Sequence, residues 1–280
     1  MEPPYKLICL DLDGTLFNSR RKISQETLNT LRSIAAGGMK VAVVTGRPGF
    51  DAKYYAKILG GNTYYIGANG GVVGSVAGDQ ILFQSYMQPA TIRTLLDISK
   101  EIHYYPGFYA THKVIIQNGR DFLNEFYILL KGNLRNLGHI HYIPSRRQFA
   151  QMLLQKNTQV SKAAFYRLNP SQASIVKSSL AGEYEVARYT DAWYEITEKK
   201  LNKSWGIQKL AQYLSIQPSE IIAFGDSEND REMLKYAGCA VAMGNAAQPI
   251  QAVADLVADT NDRDGVAKVL KDLYGKYLPV

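Results

Sequence analysis

The sequence predicts an α/β fold: a doubly wound parallel sheet interrupted by an inserted α+β domain. Three observations carry this expectation. Short apolar, strand-like runs alternate with helix-like runs at both ends of the chain, the pattern of βαβ units. The run Lys40 to Val44 is almost continuously apolar, as in a strand covered on both faces. The middle, from about Gln84 to about Thr190, is aromatic and alternating instead, and mixes paired strands with helices. A length of 280 residues suits two moderate domains, and 46% hydrophobic against 20% charged residues argues against disorder.

Tyr5 to Leu10 reads as the first strand. Ser24 is the expected N-cap of a helix striped by Leu28, Leu31 and Ile34 that ends at Gly37-Gly38. Lys40 to Val44 is a second strand, Pro48 to Leu59 a helix and Tyr64 to Ile66 a third strand. Gly67-Ala68-Asn69-Gly70-Gly71 then reads as a turn opening a hairpin through Val72 to Phe83. In the middle, Thr91 to Ile102, Phe122 to Leu130 and Pro170 to Leu180 are helix candidates, and Tyr104 to Ala110 and Lys113 to Gln117 are strands. The rhythm of the start returns with a helix over Lys203 to Leu214, a strand over Glu220 to Phe224 and a helix over Glu228 to Tyr236. Cys239 to Ala242 is a strand, and Ala247 to Val253 and Arg263 to Tyr274 are helices. The expected boundaries are residues 1–83 and 191–280 for the sheet domain and 84–190 for the insert.

Charge is unevenly spread. The chain carries 32 Lys and Arg against 25 Asp and Glu, a net +7. Residues 84–190 hold 13 of the basic and 6 of the acidic groups, so the entire excess falls on the insert. This fits either an anionic partner or a merely solvated surface on the insert. Cys9 and Cys239 sit in apolar runs and are expected to be buried and unreactive. No run approaches the ~18 apolar residues of a membrane span. Met1 to Pro4 opens no signal peptide, so a cytoplasmic location is expected.

Four motifs fall at strand ends or a helix start, where open α/β sheets bind ligands. Asp11-Leu12-Asp13-Gly14-Thr15 follows the first strand. Two carboxylates at this spacing suit a nucleophile and an acid/base partner, and Gly14 permits a tight turn beside an anion. Thr45-Gly46-Arg47 follows the second strand and offers a hydroxyl and an amide to a phosphate, although a turn with a solvated arginine reads the same way. Lys203 opens a helix and is a point-charge phosphate ligand, with Lys199 and Lys200 as rivals. Gly225-Asp226-Ser227-Glu228-Asn229-Asp230 supplies hard oxygen donors for Mg²⁺, or merely an acidic first helical turn.

Together these motifs resemble the haloacid dehalogenase superfamily, and most closely its Cof-like phosphatases with a large α+β cap. The resemblance extends to Tyr194-Glu195-Ile196 before Lys203, to Ala242-Met243-Gly244-Asn245-Ala246 and to Asp264-Gly265-Val266-Ala267. It implies that Asp11 is the nucleophile and Asp13 the general acid/base. It implies Mg²⁺ held by Asp11, the main-chain carbonyl of Asp13 and Asp226, with Asp230 supporting. Thr45, Lys203, Asn229 and amides near Leu12 and Gly46 would hold phosphate, and Arg47 and Asn69 would lie near substrate. An aspartate at position 13 separates phosphate-ester chemistry from dehalogenation. Ser204 departs from the glycine usual after the lysine.

The resemblance makes the insert a cap over the active site, hinged near residues 84–86 and 189–191. His103, Tyr104, Tyr105, Tyr109 and His112 are either substrate-facing or simply packed. The expected activity is Mg²⁺-dependent hydrolysis of small phosphorylated metabolites, sugar phosphates first, through an aspartyl-phosphate. A sugar phosphomutase is the related alternative, and a nucleic-acid-binding protein the remote one. No nucleic acid or membrane partner is expected, and the chain is expected to act as a monomer or homodimer.

Overall fold

The computed structural model describes residues 5–123, 138–190 and 193–275. The chain divides into two compact units, Met1–Phe83 with Asn202–Val280, and Gln84–Leu201.

The first unit is built on an eight-stranded sheet. Its strands are β1 (Leu7–Leu10), β2 (Lys40–Val44), β3 (Thr63–Gly67), β4 (Val72–Ser75), β5 (Gln80–Gln84), β12 (Ile221–Gly225), β13 (Cys239–Ala242) and β14 (Leu256–Val257), in the order β14-β13-β12-β1-β2-β3-β4-β5. From β14 to β3 every pairing is parallel, and β4 turns back antiparallel on β3. Side chains alternate across this sheet. Ile8, Leu10, Val41 and Val43 pack with residues of α1 (Gln25–Ala36), α2 (Gly49–Leu59) and α9 (Gly265–Tyr274). Leu7, Cys9, Ala42 and Val44 pack with α6 (Lys203–Leu214), α7 (Arg231–Tyr236) and α8 (Gln248–Gln251). Both faces of β1 and β2 are therefore apolar, which is why these strands read as unbroken runs. Cys9 and Cys239 are free and buried, as expected. Ser24 caps α1, accepting from the Thr27 amide at 3.0 Å.

The second unit holds a six-stranded sheet in the order β10-β11-β9-β6-β7-β8. Its strands are β6 (Gly107–Ala110), β7 (Val114–Ile116), β8 (Ile140–Tyr142), β9 (Val160–Phe165), β10 (Tyr184–Thr190) and β11 (Trp193–Glu198). Helices α3 (Pro89–Glu101), α4 (Arg146–Leu153) and α5 (Pro170–Leu180) share an apolar cluster with Phe108, Ile115, Ala163, Phe165 and Ile196. Tyr104 and Tyr105 pack in or against that cluster.

The boundary on the C-terminal side differs from the sequence expectation. β11 pairs antiparallel with both β9 and β10, so residues 193–201 belong to the insert and the chain returns to the first unit at Asn202. The second hinge expected at 189–191 thus falls inside the insert. Of the helix expected over Phe122 to Leu130, residues 124–130 lie outside the described residues. With the observed boundary the insert carries 15 Lys and Arg against 9 Asp and Glu.

Where the first unit is interrupted, its two cut ends are joined by side chains. The Phe83 ring meets the Trp205 ring edge-on, 4.6 Å between centroids. Lys209 Nζ lies 5.6 Å from the first ring and 5.3 Å from the second.

Candidate active site

The neighbouring parallel strands β12, β1 and β2 deliver their carboxyl ends side by side, followed respectively by Asp226, Asp11 and Thr45. Asp11 is fixed by its amide, which donates to the Phe224 carbonyl at 3.1 Å, and its side chain is buried. The chain then turns through Gly14 at φ +87°. A Cβ there would fall on the Asp226 carboxylate, so the close approach of the two loops requires glycine. Thr15 Oγ1 donates to Asp226 Oδ1 at 3.2 Å.

Lys203 is the first residue of α6, whose N-cap Asn202 accepts from the Trp205 amide at 3.0 Å. Its buried Nζ donates to Asp11 Oδ1 at 2.5 Å and to Asp230 Oδ1 at 2.6 Å. Lys199 and Lys200, the rivals by spacing, are exposed. The other Asp230 oxygen accepts the amides of Asp226 and Ser227, both at 3.0 Å, and the Ser227 hydroxyl at 3.1 Å. Asp230 therefore shapes the loop that presents Asp226. Asn229 lies in the same loop, its Oδ1 accepting from Ser227 Oγ at 2.6 Å.

Three carboxylates and one ammonium thus share a mostly buried space. One oxygen from each of Asp11, Asp226 and Asp230 lies within 4.8 Å of the others. Burial pushes the Asp11 pKa well above the usual carboxylate range, and the charges of Asp230 and Asp226 add to this against Lys203. Asp226 is pushed up to about 7 by burial and then by Asp230. Burial disfavours the Lys203 ammonium, but Asp11 and Asp230 outweigh it and raise its pKa. A single ammonium leaves the cluster with excess negative charge, and every donor in it is a hard oxygen. These features fit a divalent cation of the Mg²⁺ type.

Asp13 stands apart from that cluster. Arg47 grips it in a two-bond fork, Nε to Oδ2 at 2.6 Å and Nη2 to Oδ1 at 2.7 Å. The fork is aimed by buried Asp51, which accepts from Arg47 Nη1 at 2.9 Å, and the guanidinium lies 5.0 Å from the Phe17 ring centroid. Desolvation works to raise the Asp13 pKa, and Arg47 overcomes it, leaving Asp13 below its ordinary value. The side chain of Asp13 is thus not one of the clustered carboxylates that could hold a metal ion. That leaves only its main-chain carbonyl for the metal role the resemblance gives it.

Thr45 is buried, its Oγ1 accepting from the Arg47 amide at 3.1 Å and its carbonyl from the Asn69 amide at 3.2 Å. Gly46 lies between Thr45 and Arg47 in this loop. The side chain of Leu12 is buried in the core. Asn69 is buried at φ +53°, in the connection joining β3 to antiparallel β4, as the turn reading expects.

Several supporting residues had no predicted role of their own. Asn245 Nδ2 donates to the Gly14 carbonyl at 2.8 Å, and Asn245 Oδ1 accepts from the Asn261 amide at 3.0 Å. Asp264 accepts from Ser24 Oγ, and from Thr27 Oγ1 at 3.1 Å, binding the start of α9 to the start of α1. The motifs carrying Asn245 and Asp264 are visible in the sequence, but Gly14, Ser24 and Thr27, which they bind, lie more than 200 residues away.

Residues 8–270 match the family model of haloacid dehalogenase-like hydrolases. The chain belongs to that family. It is 31% identical over 283 residues to the phosphatase YwpJ of Bacillus subtilis, covering 96% of this chain and 99% of that protein. It is 30% identical over 279 residues to the 5-amino-6-(5-phospho-D-ribitylamino)uracil phosphatase YitU of the same organism, covering 98% and 99%. Among solved structures, the subclass IIB sugar phosphatase BT4131 of the same superfamily matches with TM-score 0.78 and 25% identity, covering 95% of this chain and 98% of that one. This haloacid dehalogenase-like chain is a Cof-like hydrolase of phosphoric monoesters.

Proposed function

We propose that the protein is a Mg²⁺-dependent phosphatase of small phosphorylated metabolites, sugar and polyol phosphates first, working through an aspartyl-phosphate on Asp11. The observation that carries this reading is Lys203 bridging Asp11 and Asp230 with Asp226 alongside, a buried anionic cluster built at three strand ends. YitU and BT4131 support the substrate class, because their names specify a phosphorylated ribityl chain and a sugar phosphate.

Asp11, Asp226 and the Asp13 carbonyl would hold Mg²⁺, with Asp230 orienting the loop. When bound, the ion would supply charge neutralisation to the phosphoryl group. An Asp11 oxygen attacks phosphorus while the bond to the ester oxygen breaks, and the departing oxygen takes a proton from Asp13. Asp13 then takes a proton from water, the water oxygen bonds to phosphorus, and the bond from phosphorus to Asp11 breaks. Inorganic phosphate leaves and both carboxyl groups are restored. Because Arg47 stabilises the Asp13 carboxylate, proton donation requires that fork to open when the ester arrives. Lys203 neutralises Asp11 at rest and faces the developing phosphoryl charge. The basic insert supports the choice of anionic esters. Among the described residues no helix is long and apolar enough to cross a membrane, and a cytoplasmic metabolite is the substrate proposed.

The test is phosphate release from a panel of phosphometabolites, with Mg²⁺ and with EDTA. Release confined to Mg²⁺ and strongest on sugar or polyol phosphates is expected. No release from any ester would overturn the reading. Bisphosphate-dependent isomerisation without net release would replace it with a mutase.

A further inference from the structure

We propose that the insert carries a second anion site, separate from the catalytic cluster, which takes a small organic phosphate of the nucleoside diphosphate class. The site is a cleft of about 410 Å³ between α3 and α4. That volume falls within the range of small-molecule sites and far exceeds what inorganic phosphate would fill.

Its walls are cationic. On α3, Arg93, Asp97 and Lys100 are spaced four and three residues apart and share one face. Arg146 and Arg147 are the first two residues of α4. Among the described residues the only carboxylate in the lining is Asp97, which pairs with Lys100 at 2.8 Å. Arg93, Arg146 and Arg147 form no ion pair among the described residues. Three uncompensated arginines therefore line one cleft, in a unit that carries most of the chain's positive excess.

The placement on α4 is locally unfavourable. Helix N-termini favour anions, yet the first turn of α4 has two cations and no acid. Such a conflict between local preference and sequence marks a functional position when a compensating group is supplied. A phosphate oxygen there would pair with the arginines and face the helix N-terminus as well.

The floor is apolar. Leu96, Ala150 and Leu154 line it with the Tyr105 ring, which has the Arg146 guanidinium 5.5 Å from its centroid. Charge alone would need no such floor. A ligand with a flat or apolar body and two or more negative charges matches both parts.

The probe is ADP, titrated calorimetrically into the full chain and into the Asp11→Asn protein. Binding to both is expected, with Arg93→Glu/Arg147→Glu weakening it at least about tenfold. Phosphatase activity should not change in that variant, and the protein should still fold, since both side chains are exposed. Arg93→Ala/Arg147→Ala is the milder check should the charge reversals disturb folding. The proposal is overturned by no binding, by binding that neither arginine pair affects, or by inorganic phosphate binding as tightly as ADP. An oligonucleotide that outcompetes ADP and is lost in the same variants would make the cleft a nucleic-acid surface instead. Phosphate release is read separately, so failure here leaves the catalytic reading intact.

Discussion

Without metal, the catalytic cluster should make the protein less stable as pH rises. Asp226 has its pKa pushed from 3.8 to about 7 by burial and by Asp230, and that of buried Asp11 is also raised. Between these values the folded protein keeps a proton on Asp226 that the unfolded chain has already lost. Unfolding then releases a proton, and higher pH favours unfolding. The slope is about 1.4 kcal/mol per pH unit for each such group. That slope halves as the pH reaches the folded pKa, so from pH 5 to 7 Asp226 alone accounts for about 2 kcal/mol, on the order of 4–8 °C in Tm for a unit this size. The assay is thermal melting by circular dichroism in EDTA at pH 5, 6, 7 and 8. Mg²⁺ should reverse the trend, because it binds the deprotonated carboxylates and stabilises most where they are ionised. Asp226→Asn should flatten the EDTA slope. A Tm in EDTA that is level or rises from pH 5 to 7 would refute the account of the cluster.

Asp11→Asn should lower phosphate release at least about 10³-fold while the far-ultraviolet spectrum and melting stay close to wild type. Near-normal turnover in a folded Asp11→Asn protein would sink the nucleophile assignment. Lys203→Met leaves three carboxylates without their cation, so it should cost the metal-free protein about 3–5 kcal/mol in urea unfolding. Mg²⁺ should recover more of that loss than it adds to wild type. Gly14→Ala should weaken Mg²⁺ binding measured by calorimetry, since its Cβ would displace Asp226. Asp264→Ala removes the acceptor shared by Ser24 and Thr27, and should cost about 1–2 kcal/mol of stability with kcat almost unchanged.

The layout of the candidate site was legible because its residues are attached to unambiguous local structure. β1, β2, β12 and β13 are short apolar runs buried on both faces, and Asp11, Thr45 and Asp226 follow three of them directly. The end of the insert was not legible in the same way. β11 alternates apolar residues with buried Glu195, which accepts from Lys162 Nζ at 2.5 Å, and buried Thr197, and its chain neighbour on one side is the helix of Lys203. Proximity to that lysine in sequence suggested the catalytic unit, while the backbone pairing that decides the matter runs to β9 and β10. The Arg47 fork was hidden for a related reason. A threonine, a glycine and an arginine after a strand specify a loop, but only the packing of α2 brings Asp51 and Tyr55 to fix where that arginine points.

The edge-on contact of Phe83 with Trp205, with Lys209 over both rings, has a consequence for how this protein can change over generations. It holds together the two ends between which about 120 residues are spliced. A different module grafted at that junction would inherit an anchored pair of attachment points, and every carboxylate of the catalytic cluster would be left untouched. Exchanging the graft would then leave the residues of the carboxylate cluster as they are. A chimera that keeps Phe83, Trp205 and Lys209 but carries a foreign insert is the natural vehicle for that exchange.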